Sequence, residues 1–174
     1  MYKREQLVKS GTVLPEHTFY VDNLFAYKPL PYMNTLYYLD VDLYHYFIGR
    51  EDQSVSMKNI VKRYAQQQTV MREMTDAYTW NEIKYMVRGL KRYMWHNLEV
   101  ILINTVFFTC AEYSKERKAA LKALWKHIKE RDGALYRRLR YFSYASFFYL
   151  MPWKLRGFVM TKGYLYLCRK IKLG

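Results

Sequence analysis

The sequence predicts an α+β fold that is predominantly helical, with a short β element near residues 36–48 followed by a helical array. Three observations point there. From Met57 onward apolar residues recur at helical spacing, Leu36 to Ile48 is dense in tyrosine, leucine and valine, and only 7 glycines and 4 prolines interrupt 174 residues. A hydrophobic fraction of 51% beside 25% charged residues supplies the apolar material for one core and excludes a disordered tail.

Tyr2 to Ser10 reads as a short helix closed by Gly11, since glycine takes the left-handed conformation after a helix without steric cost. An extended stretch through Leu14-Pro15 and a loop reaching Asn23 follow, and Pro29 and Pro31 mark a turn. Leu36 to Ile48 is predicted as one bent strand or a two-strand hairpin, ended by Gly49. Ser56 is placed to cap a helix whose Met57, Ile60, Tyr64, Met71 and Met74 share a face, with Gln66-Gln67-Gln68 on its solvated side.

Thr79-Trp80-Asn81-Glu82 spells a capping box. The helix it starts is expected to reach about Glu112, with Ile83, Met86, Val87, Leu90 and Met94 as its buried stripe. Ser114 caps a further helix that ends at Gly133, with Leu121, Leu124, Trp125 and Ile128 inward and Lys118, Lys122, Lys126 and Lys129 outward. Ala134 to Gly174 reads as two shorter aromatic helices broken around Pro152 and Gly157. The chain thus divides into residues 1–55, a loop and β segment, and residues 56–174, a basic helical region.

Charge is the unusual global feature. Of 29 basic and 15 acidic residues, 5 and 7 lie in residues 1–55, which leaves 24 and 8 for the rest and a net charge of +14 overall. No acidic residue follows Asp132, whereas Arg137, Arg138, Arg140, Lys154, Arg156, Lys162, Arg169, Lys170 and Lys172 do. An anionic surface is the expected neighbour of that end.

Val100 to Ala111 and Tyr141 to Trp153 are apolar, but both fall short of the roughly 20 residues that span a bilayer. Cys110 and Cys168 lack the spacing of a disulfide framework or a zinc site, and Met1 to Ser10 is too polar for an export leader. A cytoplasmic location is expected, with peripheral contact to the inner face of the cell membrane.

Three constellations bear on chemistry. Asp22, among Phe19, Tyr20 and Val21, reads either as a partly buried general base or as a helix cap. Arg50, Gln53 and Ser54, on a glycine-started loop running into a helix, read either as a phosphate-binding set or as a solvated loop. Asp40-Val41-Asp42 spells the acidic triplet of many metal-dependent sugar-nucleotide enzymes, but no phosphate-binding βαβ unit precedes it, and no metal site is assigned. His17, His45, His96 and His127 share no ligand spacing and are expected to be structural.

The segments LPEHTFYVDNLFAYKPLPY, LYYLDVDLYHYFIGREDQSVS and NIVKRYAQQQTVMREM, over about Leu14 to Met74, resemble the C-terminal part of bacterial family-2 glycosyltransferases of the GT-A type. The resemblance implies a hexosyltransferase-type enzyme of polysaccharide biosynthesis, moving a sugar from a nucleotide-sugar to a glycan or lipid-linked acceptor. It implies Asp22 as the general base, although Val21 stands where the family usually has a second acidic residue. Arg50, Gln53 and Ser54 would hold the donor diphosphate. Nucleotide-sugar and a divalent cation, Mg or Mn, belong to the full-length family, whose donor-binding half would precede residue 1. The chain is therefore expected to be a truncated or split product, inactive by itself.

A second class of function follows from composition alone. Trp153, Phe158, Tyr164 and Tyr166 beside Lys154, Arg156, Lys162 and Lys170 suit an anionic membrane surface, where rings bury and cations meet headgroups. Nucleic acid is disfavoured, because no helix-turn-helix, RNA-binding or zinc signature is present and the first third is acidic.

Overall fold

At three of the helices a side-chain oxygen that accepts from backbone amides marks the start. The computed structural model describes residues 2–45 and 57–171, and the elements among them are all helical: α1 (Arg4–Lys9), α2 (Val21–Tyr27), a 3-10 turn (Leu30–Tyr32), α3 (Met57–Lys62), α4 (Tyr64–Ala77), α5 (Trp80–Tyr85), α6 (Arg88–Cys110), α7 (Lys115–Arg131), α8 (Gly133–Tyr141), α9 (Ser146–Tyr149) and α10 (Trp153–Ile171). Gly11, with φ 59°, closes α1 as expected. The capping box is formed: Thr79 N–H donates to Glu82 Oε2 at 2.7 Å, and Glu82 N–H to Thr79 Oγ1 at 3.3 Å. Ser114 Oγ accepts from Arg117 N–H at 3.0 Å.

Asp132 serves two helices. Its Oδ1 accepts from the amides of Ala134 and Leu135 at 2.8 and 3.0 Å at the start of α8, and its Oδ2 accepts from Trp80 N–H at 2.6 Å at the start of α5. Burial by itself would raise its pKa, but these three amides outweigh burial and hold the carboxyl below its usual range.

The continuous helix expected from Thr79 to Glu112 is instead two, separated at Met86 and Val87. The reason is a contact. Trp80 and Trp95 would lie about 22 Å apart along an unbroken helix, yet their rings meet edge to face with centroids 5.7 Å apart. Folding α5 back onto α6 buries Ile83 and leaves Val87 in solvent.

At the centre α4 packs on α6, bringing Val70, Met71 and Met74 against Leu98, Ile101, Leu102 and Val106 in one cluster that Leu24, Tyr27, Leu121, Leu124, Ile128, Leu135 and Leu139 complete. The glutamine run is not solvated: Gln67 and Gln68 are 2% and 8% exposed. Gln68 Nε2 donates to Thr109 Oγ1 at 3.0 Å, so this amide finds a partner inside, while Gln66 Oε1 accepts from Phe19 N–H at 3.2 Å.

Arg117 locks the N-terminus of α7 in place. Its guanidinium is buried, donating to the Phe108 carbonyl at 3.0 Å and the Val61 carbonyl at 2.7 Å, and it lies 4.1 Å from the centre of the Tyr64 ring.

The α+β class is overturned. Among the described residues there is no strand, and residues 36–45, most of the predicted β element, form no ladder. Residues 46–48 lie outside the described residues. Aromatic and β-branched side chains favour strands only where a pleated neighbour and a core cover them. Here Leu36, Tyr37 and Tyr38 are 81%, 87% and 84% exposed, so that cover is lacking.

Candidate functional site

Of the residues proposed for sugar transfer, only Asp22 lies among the described residues. Asp22 is exposed in the first turn of α2, where its charge favours the helix N-terminus, and it does not sit in the partly buried setting a general base needs. Arg50, Gln53 and Ser54 lie outside the described residues, as does the expected Ser56 cap. Asp40 and Asp42 are exposed, and among the described residues no three His, Cys, Asp or Glu side chains cluster as a metal site would require.

The C-terminal residues form a different kind of surface. The helix α10 packs one side against α6: Tyr164 meets the Phe107 ring at 5.1 Å, Met160 is buried, and Gly157 lies against the Cys110 carbonyl. Its other side carries Leu155, Phe158, Leu165 and Tyr166 into solvent, with Lys154, Lys162, Arg169 and Lys170 among them. Just upstream, Tyr141, Phe142, Tyr144, Phe147 and Leu150 are exposed as well.

Five side chains were assigned to this surface from sequence, and their placements differ. Lys154, Lys162 and Lys170 are exposed, with Lys162 Nζ 5.7 Å from the centre of the Phe158 ring. Trp153 is half-buried, and its indole N–H is buried without a hydrogen-bond partner. Arg156 is buried and donates from Nε to the Phe148 carbonyl at 2.8 Å and from a terminal nitrogen to the Met151 carbonyl at 3.2 Å. Its role is to fasten the turn between α9 and α10.

That turn folds back on α7 and borders an open groove of about 790 Å³ that sequence reasoning missed. Trp125 and Tyr149 form its floor, joined by a 2.9 Å hydrogen bond from the indole N–H to the phenol oxygen. Arg140 stacks on Tyr149 at 3.9 Å, and Lys115, Lys118 and Lys122 line the α7 side. From sequence, Lys118 and Lys122 read only as part of the outward face of this helix; Tyr149 and Trp153 join them in lining the groove.

A second cleft of about 740 Å³ lies beside α6, where Arg92, Trp95, His96 and Glu99 face Phe142 and Tyr144. Glu99 is buried, and burial pushes its carboxyl pKa up; the Tyr144 amide, His96 and Trp95 pull the other way without cancelling it. Its Oε1 accepts from Tyr144 N–H at 3.3 Å, which anchors the aromatic segment that follows α8.

No protein-family model matches the chain, and neither a curated protein nor a solved structure matches it. With no family match, no strand among the described residues and an exposed Asp22, the likeness to GT-A glycosyltransferases is withdrawn. The hexosyltransferase assignment and its role in polysaccharide biosynthesis go with it, as do the nucleotide-sugar, acceptor and cation that only the likeness implied. Among the described residues no helix is long and apolar enough to cross a membrane.

Proposed function

We propose that this chain is a basic, aromatic helical module that binds anionic membrane surfaces peripherally through its C-terminal residues. One observation carries the reading: from Gly133 to the C-terminus the chain has no acidic residue, and its outer face alternates exposed rings and leucines with lysine and arginine. At a bilayer interface Leu155, Phe158 and Tyr166 would leave water for the acyl boundary while Lys154, Lys162 and Lys170 stay at headgroup level. Each cation near an anionic leaflet contributes on the order of 1 kcal/mol, so several together with partial burial of the rings suffice for reversible attachment.

Flotation of the full chain with vesicles of phosphatidylcholine alone or mixed with phosphatidylserine tests this. Binding is expected only to the mixed vesicles and is expected to weaken with salt, because screening shortens the reach of the lysines. Equal recovery from both vesicle types, or from neither, would remove the reading.

A further inference from the structure

Resting on the membrane-surface reading, we propose that the groove between α7, α8 and the turn into α10 is a specific site for a phosphate monoester, carried by a lipid headgroup or free in solution. Lys115, Lys118 and Lys122 stand three and four residues apart along α7, so their ammonium groups share one wall. All three are exposed, and none is in an ion pair with a described residue, whereas Lys126 on the same helix lies 3.7 Å from Glu130. The groove has no acidic lining residue. A set of cations held side by side with no carboxylate between them repels itself until an anion arrives.

The opposite wall supplies what a bare lysine face does not. Trp153 also lines the groove, and its indole N–H is buried with no hydrogen-bond partner among the described residues. Trp125, Tyr136 and Tyr149 form an apolar floor that displaces water, and in a less polar setting the attraction between ammonium and phosphate strengthens. Arg140 is already stacked on Tyr149, 3.9 Å from the ring centre, which fixes its charge on this side.

The chemistry selects the ligand class. A monoester phosphate carries close to two negative charges near neutral pH and three acceptor oxygens. It can engage several lysines at once, whereas a phosphodiester offers them one charge and two free oxygens. A volume of about 790 Å³ admits a headgroup. The mouth is continuous with the membrane-facing helix, because Trp153 opens α10 and Lys154, its next residue, lies with Nζ 5.6 Å from the centre of the Tyr113 ring at the rim.

The test uses the full chain and its variant with Lys115→Gln, Lys118→Gln and Lys122→Gln, whose thermal melt should match the parent since these side chains are exposed. Binding is measured to phosphatidic acid vesicles and to phosphatidylserine vesicles of matched surface charge. Tryptophan fluorescence is titrated with glycerol phosphate. The parent should prefer phosphatidic acid by about tenfold, the equivalent of one added charge-assisted contact. The variant should lose that preference while keeping its phosphatidylserine binding, and a saturable fluorescence response should disappear with it.

Equal binding to both vesicle types, with no saturable response to glycerol phosphate, overturns the groove and leaves the membrane reading standing. A variant that weakens on both vesicles by the same factor overturns it as well, since the lysines would then act as bulk charge. If neither vesicle binds but glycerol phosphate saturates the parent and not the variant, the groove stands with a soluble ligand and the membrane reading falls.

Discussion

Gly157 lies so close to Cys110 that a methyl group on its Cα would stand 2.1 Å from the Cys110 carbonyl oxygen. Glycine inside a helix costs about 1 kcal/mol relative to alanine, and here that cost is offset by the close approach of α10 to the end of α6. The helix α10 is thereby held against the core by backbone contact.

Gly157→Ala should therefore destabilise the protein, by about 1–3 kcal/mol as overpacking does, even though alanine is the better helix former. Chemical denaturation would show a lower midpoint. An unchanged midpoint would mean that α10 can shift away from α6 without cost.

Arg117 is expected to resist conservative replacement. Its two terminal nitrogens reach carbonyls on different segments, Phe108 and Val61, and a lysine offers one ammonium in place of the fork. Arg117→Lys should lose roughly 1.5–3 kcal/mol, the worth of a charge-assisted hydrogen bond. The Glu112 carboxylate 3.2 Å away is 61% exposed and contributes little by comparison, so Glu112→Gln should leave the melting temperature nearly unchanged.

Glu99 gives the protein a pH signature. Burial raises its folded pKa above the ordinary value of 4.5, so between 4.5 and the raised value the unfolded chain has released a proton that the folded chain still holds. Stability from this group is full below 4.5 and declines as pH rises through that window. Glu99→Gln, which keeps an oxygen for the Tyr144 amide, should raise the melting temperature at pH 7 and leave it unchanged near pH 4. His96 and Arg92 share the cleft and persist in the variant, so the difference isolates the carboxyl. A shift of equal size at both pH values would contradict the assignment.

Phe158 and Tyr166 are 60% and 65% exposed, and their replacement tests the apolar half of membrane attachment. Phe158→Ser with Tyr166→Ser should weaken vesicle binding at every salt concentration while the melt is preserved. Lys154→Gln, Lys162→Gln and Lys170→Gln together should weaken it chiefly at low salt. Identical salt profiles for the two variants would show that rings and cations do not act separately.

Local chemistry was legible where a residue acts on its own neighbours. The Thr79–Glu82 box, the Ser114 cap and the inward face of α7 follow from spacing alone, because their partners lie within one or two turns. The same is true of the charge gradient that ends at Asp132, a property of composition that no folding alters.

What only the tertiary structure decided depends on partners far along the chain. The tyrosine-rich run 36–45 has strand-forming side chains, but a strand exists only when another strand accepts its amides, and no local pattern states whether one arrives. Gln67 and Gln68 are inside because Thr109 and the packing of α4 on α6 receive them, 41 residues away in the case of Gln68 and Thr109. Trp80 against Trp95 broke a helix that periodicity alone would continue, and the Trp153 turn folding onto α7 converted a row of lysines into one wall of a groove. Sequence fixes the chemistry that each residue offers; distance in the folded chain determines which of those offers are taken up.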